Sequence, residues 1–241
     1  MGGRAGGKAE GRLAGRGRVS HRAADMELLK QALDVMLHLQ DHLFQLTQDH
    51  GNWVYGILFL IIFCETGLVV TPFLPGDSLL FAVGALAADA QSGLNIFIAG
   101  ILMVVAAILG DTVNYWVGRV AGEQLVRRFP KIIKPAYLAK TAEFFVRYGG
   151  KTIVLARFVP IVRTFAPFVA GSGSMNYTRF MLFNVFGALL WVVLILPAGW
   201  FFGNIPIVKK NFELVVIGII FVSVLPMVLE VWKARRQPAK T

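Results

Sequence analysis

Residues 65–78 read ETGLVVTPFLPGDS, and the reading of this stretch decides the fold. An uncharged run, Trp53 to Phe63, leads into it, and a second apolar run, Leu79 to Ala88, leaves it. Each arm has about half of the ~20 residues a helix needs to cross a bilayer. Between the arms, Pro72, Pro75 and Gly76 stop a continuous helix. Residues 52–88 therefore read as a re-entrant hairpin. Irregular backbone at membrane depth is tolerated only where protein or a wet cavity covers it. The tip, with Glu65 and Asp77, is accordingly expected to face the interior.

Residues 152–175 repeat this design: an apolar Thr152 to Ala156, then Arg157, Pro160, Arg163, Pro167 and a closing Gly171. They read as a second hairpin. An Arg or Asp at the centre of a membrane helix costs at least about 2.5–3.5 kcal/mol. Four unpaired charges would cost on the order of 10 kcal/mol, comparable to the stability of an ordinary domain. Glu65, Asp77, Arg157 and Arg163 are therefore expected to face one another, water or a ligand.

On an unbroken helix the two arginines would point about 240° apart. A break at Pro160 lets both guanidiniums converge on one anion, and phosphate suits their planar donor forks. Desolvation favours the neutral form of Glu65 and a facing arginine favours the charged form, so this carboxyl is suited to carrying a proton. Asp77 also fits a helix N-cap. Asp111 and Asn114, near the end of the next apolar run, either extend the site or hold helices together by hydrogen bonds. The purely structural alternative pairs the acids with the arginines and pins the hairpins together.

Composition agrees with a membrane chain. The 241 residues are 56% hydrophobic, with a mean hydropathy of +0.64, too apolar for a typical soluble domain. The single cysteine, Cys64, rules out an internal disulfide and reads as a small packed hydrophobe. The net charge of +10 is unevenly spread. Residues 1–25 carry six Arg or Lys against two acids in a Gly- and Ala-rich background, cannot bury a core, and read as a disordered basic extension upstream of Met26. No apolar h-region follows them, so they do not read as a cleavable signal peptide.

Residues 26–51 read as an amphipathic helix. Its His38 and His42 could share a metal with Asp34 or Asp41, but a third ligand of comparable quality is missing, and the reading carries no metal and no cofactor. Residues 26–118 hold one basic residue against eight acids, whereas 119–151 hold eight against two. By the positive-inside rule the 119–151 connection and the basic tail, 234–241, are cytoplasmic. Spans are expected at 94–118, 177–203 and 212–232, the last two kinked at Pro197 and Pro226. The membrane domain thus covers 52–233. The fold class is an all-α integral membrane protein with two oppositely oriented re-entrant hairpins and about three spanning helices, in the inverted-repeat manner of secondary transporters.

Residues 65–78, together with GDTVNYWVGR at 110–119 and ARFVPIVRTFAPFVAG at 156–171, resemble the DedA family of bacterial inner-membrane proteins, also called SNARE-associated or VTT-domain proteins. The resemblance covers Met26 to the C-terminus. It implies an inner-membrane protein with two opposed re-entrant hairpins, related to eukaryotic lipid scramblases of autophagy. It also implies kinship with members linked to undecaprenyl phosphate recycling, the proton motive force, envelope integrity and resistance to cationic peptides. The family's acidic pair falls on Glu65 and Asp77, and its arginine pair on Arg157 and Arg163.

The leading expectation is a transporter or flippase that moves a polyprenyl phosphate or related phospholipid across the membrane, linked to protons. Arg157 and Arg163 would bind the phosphate, and Glu65 and Asp77 would exchange protons. A small-ion or drug exporter and a scramblase without proton coupling are the alternatives. A scaffold held by ion pairs is a third. An enzyme is not expected, because no histidine follows His50 to serve as a base in the membrane core, and Ser172 between two glycines reads as close helix packing. Membrane, lipid and protons are the expected partners, without nucleic acid; a homo-oligomer is left open.

Overall fold

The structure, a computed structural model, describes residues 39–68, 76–129, 133, 135–173, 175–211, 214, 215 and 217–219. All regular elements among them are helical. In chain order they are α1 (Leu39–His50), α2 (Trp53–Gly67), α3 (Gly76–Ala87), α4 (Ile96–Arg128), α5 (Pro135–Tyr148), α6 (Thr152–Ala156), α7 (Pro160–Ser172), α8 (Tyr177–Gly203) and α9 (Pro206–Lys210). Residues 214, 215 and 217–219 are also helical. The basic extension, the first half of the expected amphipathic helix, Pro72, Pro75, most of the expected span at 212–232 with Pro226, and the tail lie outside the described residues.

Among the described residues, two helices are long and apolar enough to cross a bilayer: α4 with 33 residues and α8 with 27. At 1.5 Å per residue they are about 50 and 40 Å long, against ~30 Å of hydrocarbon. Both begin at an asparagine whose side chain accepts backbone N–H bonds, Asn95 from Phe97 and Ile98 and Asn176 from Thr178. On α4 the large side chains Phe97, Ile101, Val105, Leu109 and Val113 are exposed, as are Leu182, Phe186, Leu189 and Val193 on α8. Spacings of three and four place each set on one outward stripe. Such continuous apolar surface marks a membrane or partner face rather than one covered by water.

The two long helices run antiparallel. Asn184 Nδ2 donates to the Ile108 carbonyl at 3.1 Å, while Gly100 lies against Val192 and Leu196. Around this pair the chain repeats itself. The position of a Cβ on Gly84 of α3 is occupied by the Leu196 carbonyl, and that on Gly199 by the Phe81 carbonyl. In the second half, Gly171 of α7 meets the Tyr115 carbonyl and Gly118 meets the Phe168 carbonyl. Gly203 against Ala85 and Gly122 against Ser172 complete the match. Each pair sits at the same register, so these glycines let the second arm of each hairpin cross the other half's long helix backbone to backbone.

The short helix pairs run along only half of the long helices. α2 starts level with the head of α4, where Tyr55 Oη accepts from Asn95 N at 2.7 Å, and ends where Gly67 abuts Gly110, near the middle of α4. α6 and α7 come from the opposite end: Gly150 lies against Phe183 and Gly187 against Val154 and Arg157, while Ser172 is level with Gly122. The end of α2, the start of α3 and the break between α6 and α7 therefore meet at mid-length of the α4–α8 pair.

Two expectations need correction. α4 does not end at Gly118 but continues through Arg128, because no proline intervenes before Pro130 and charged residues replace apolar ones on a helical spacing, with Arg127 bonded to Glu123 at 2.6 Å. Pro167 does not break α7, which runs from Pro160 to Ser172 through it. Proline there leaves the Arg163 carbonyl without its helical N–H partner, and the next carbonyl, that of Thr164, accepts from Asn114 Nδ2 at 3.0 Å. Pro160, by contrast, sits at the first turn of α7 after the break at 157–159, as its fixed φ favours. α8 runs from Tyr177 to Gly203 through Pro197, over the expected span.

Candidate functional site

Among the described residues, five ionisable side chains, not four, gather at this meeting point. Glu65 ends α2, Asp77 opens α3, Asp111 lies at the middle of α4, Arg157 follows α6, and Arg163 is in the first turns of α7. Arg157 Nη2 donates to Asp111 Oδ2 at 2.5 Å and to Asn184 Oδ1 at 2.7 Å. Arg163 Nη1 lies 3.1 Å from Asp77 Oδ1, and its Nη2 lies 3.3 Å from Glu65 Oε1.

Trp191 joins the two halves of the cluster. Its Nε1 donates to Asp77 Oδ1 at 2.7 Å. The Arg163 and Arg157 Cζ atoms stand 4.4 and 5.9 Å from its ring centroid, within reach of cation–π attraction. The ring is fully buried. Asn114 ties the scaffold together, because its Nδ2 reaches both the Thr66 carbonyl of the first hairpin and the Thr164 carbonyl of the second.

The sequence-derived residues thus come together, with altered roles. The arginines do not converge on one partner: each has its own carboxylate set, and they flank one indole. Asp111, weighed only as a secondary member, is the direct partner of Arg157. Asp77 is the second residue of α3, where its charge complements the helix dipole, and its carboxylate turns to Arg163 and Trp191. Gly76 opens α3, and a Cβ there would collide with the Glu65 carboxylate. Ser172 packs against Gly122, and Cys64 is a partly buried free thiol. The side chains of the metal candidates Asp34, His38, Asp41 and His42 lie outside the described ones.

Asn184 and Trp191 were not found by the sequence reading. A signal existed for both: a lone amide in a charge-free span is costly unless bonded, and a tryptophan at mid-span lies away from the interfacial belt where the residue concentrates.

The cluster has spare bonding capacity. Glu65 Oε2, Asn114 Oδ1, Arg157 Nε and Nη1, and Arg163 Nη2 are buried without a hydrogen-bond partner. Orphaned buried groups are expensive, and donors left over on both guanidiniums suit an acidic ligand or water. Three carboxylates against two guanidiniums also leave one surplus negative charge when all are ionised. One proton held among the acids would balance the site.

The VTT domain family matches residues 74–201, a stretch that includes four of these five residues. The chain is 56% identical over 216 residues to Protein DedA of Escherichia coli K12, covering 89% of this chain and 99% of that protein. It is 40% identical over 190 residues to an uncharacterized membrane protein of Mycobacterium tuberculosis, covering 77% and 83% of the two chains. The inner membrane protein YqjA of E. coli K12 is 36% identical over 186 residues, with the same 77% and 83% coverage. No solved structure matches it. Apolar outward stripes, short helices gathered on a buried charge cluster, a family model over more than half of the chain and a relative matched over 99% of its length lead to one assignment: the chain belongs to the VTT-domain, or DedA, family of membrane proteins.

Proposed function

We propose that this chain is a proton-linked transporter of an anionic lipid, a polyprenyl phosphate or a related phospholipid, in the bacterial inner membrane, and that its role is transport rather than catalysis. In this reading α2–α3 and α6–α7 are re-entrant hairpins from opposite faces, and the basic 119–151 segment and the C-terminus are cytoplasmic. The observation that carries it is the buried cluster at the hairpin tips, with unused guanidinium donors and one surplus carboxylate.

The charges suggest how protons and head group are linked. In the unloaded arrangement each arginine is held by acids, so a phosphate must compete with Asp111 for Arg157 and with Glu65 and Asp77 for Arg163. Adding an anion to a site that already has excess negative charge is unfavourable in a low-dielectric interior. Protonating Glu65 or Asp77 removes that obstacle and frees Arg163 to donate to the phosphate. Loss of the proton on the other side re-forms the ion pairs and expels the head group. The two hairpins, one open to each face, supply the alternating routes.

The test is a vesicle assay that follows a fluorescent polyprenyl phosphate between leaflets under an imposed pH gradient. Arg157→Gln and Arg163→Gln are each expected to lower the rate at least about 100-fold, the scale of losing a charged buried hydrogen-bond donor. Unchanged lipid movement in both variants would falsify the reading. Movement of inorganic phosphate or of a cationic drug, but not of the lipid, would replace it with the exporter alternative. Lipid movement indifferent to the gradient would replace it with uncoupled scrambling.

A further inference from the structure

The charge cluster is not closed on every side. Asp77 retains 25% of its side-chain exposure while its partner Arg163 retains 12%, and the exposed side of Asp77 forms the end of a groove of about 460 Å³. The groove lies between α3, α8 and the helical residues 215 and 217–219, and its other walls are Phe81, Leu194, Ile195, Ala198, Val215, Gly218 and Ile219. Every one of those walls is apolar. Leu194 is 52% exposed, so the groove opens on the same outward side as the apolar stripe of α8.

A small anion has no use for such a feature, and a water-filled ion route would not be walled by Phe, Leu, Ile and Val. An amphiphile with a charged head and a hydrocarbon chain fits it, because the groove ends at Asp77, whose Oδ1 lies 3.1 Å from Arg163 Nη1, and the chain leaves through apolar walls into the bilayer. We infer that this groove seats the proximal hydrocarbon chain of a lipid whose phosphate the cluster receives. The inference rests on the lipid-phosphate reading of the cluster and adds to it where the lipid enters and what part of it is recognised.

The groove's contribution is position, not affinity. Hydrocarbon moves from bilayer to groove between two apolar surroundings, so little free energy is gained. What the walls do is hold the first segments of the chain so that the phosphate arrives at the guanidiniums in one orientation. A bulky side chain in the groove should therefore stop transport of the long-chain lipid without dismantling the charge cluster.

The experiment uses the full chain in phosphatidylcholine vesicles with a fluorescent farnesyl phosphate. Ala198→Trp and Leu194→Trp fill the groove; Ile98→Trp, on an exposed position of α4, is the control; Arg163→Gln reports on the cluster. The expected result is at least a tenfold loss of lipid movement in both groove variants and less than a twofold change in the control. In parallel, p-benzoylphenylalanine placed at Ile195 should form an adduct with the farnesyl phosphate several-fold more often than when placed at Ile98. This measurement does not depend on the tryptophan variants folding. If Arg163→Gln blocks movement while both groove variants keep wild-type rates, the groove inference fails and the cluster reading stands. If Arg163→Gln itself moves lipid normally, the cluster reading fails. Equal adducts at the two positions, adducts with phosphatidylcholine at the same frequency, or a cross-linked protein dimer at Ile195 would each overturn the groove as a seat for this lipid.

Discussion

Asp111→Asn changes the shape of the cluster very little and removes one negative charge from the side of Arg157. The Arg157–Asp111 contact is 2.5 Å long, with side chains only 2% and 7% exposed, so the ~0–1 kcal/mol typical of exposed ion pairs does not apply. Removing one partner of a buried pair costs about 3–5 kcal/mol, because the other charge stays behind without compensation. The amide keeps an oxygen acceptor and Asn184 keeps its 2.7 Å bond to Arg157, which places the loss near the lower end, about 3 kcal/mol. For a domain of this size that is a fall of about 6–12 °C in the melting midpoint. Arg157→Gln, which strands Asp111, should cost a similar amount. The double variant strands neither, and should be at least about 1.5 kcal/mol more stable than the sum of the single losses. Cys64 is the one cysteine and is partly buried, so its reaction with a fluorogenic maleimide in detergent follows melting directly. Single losses that add to within about 0.5 kcal/mol would show that Asp111 and Arg157 share no interaction, and would refute the cluster as described.

Other substitutions probe separate parts of the site. Gly76→Ala puts a methyl group into the Glu65 carboxylate and should reduce lipid transport at least about tenfold, since a shift on the order of 1 Å in a positioned group can cost two decades in rate; a wild-type rate would mean that Glu65 moves freely. Trp191→Phe keeps a ring beside both arginines but removes the donor to Asp77, and should destabilise by about 1–3 kcal/mol in the thiol-melting assay, whereas Trp191→Ala should cost more. Gly84→Ala and Gly171→Ala both drive a methyl group into a carbonyl of the opposing long helix. Both should lower stability by about 1–3 kcal/mol or more, and a large loss at only one of them would argue against the internal repeat.

Much of the fold was legible because the bilayer restricts what a sequence can mean. Two arms too short to span, divided by Pro72, Pro75 and Gly76, correspond to the short helices α2 and α3, and the stretch with Arg157, Pro160 and Arg163 corresponds to α6 and α7. The cost of isolated charge then brought Glu65, Asp77, Arg157 and Arg163 into one place, as the structure has them. The pairing among them was not legible, because it depends on which long helix each hairpin arm crosses, and that is set by Gly84, Gly118, Gly171 and Gly199, whose register only the folded chain reveals. Asp111 was noticed but underrated, since its position in the run 94–118 gave its depth and not its facing. Trp191 escaped notice because an indole inside an apolar run reads as packing, and its N–H matters only once Asp77 is known to lie against it. The helix through Pro167 was misread because proline was taken as a stop, whereas packing of α7 against α4 carries the helix through it, with Asn114 Nδ2 bonded to the Thr164 carbonyl.

The central claim is that guanidinium groups at the hairpin tips hold the phosphate of a lipid. Solid-state NMR can read it as the dipolar coupling between arginine guanidinium 15N and lipid 31P, with the protein in maltoside micelles so that added farnesyl phosphate carries the only phosphorus. The account predicts a 15N–31P coupling in the wild-type protein that disappears in the Arg157→Gln/Arg163→Gln double variant. A coupling of the same size in both proteins would place the phosphate on other arginines and contradict it.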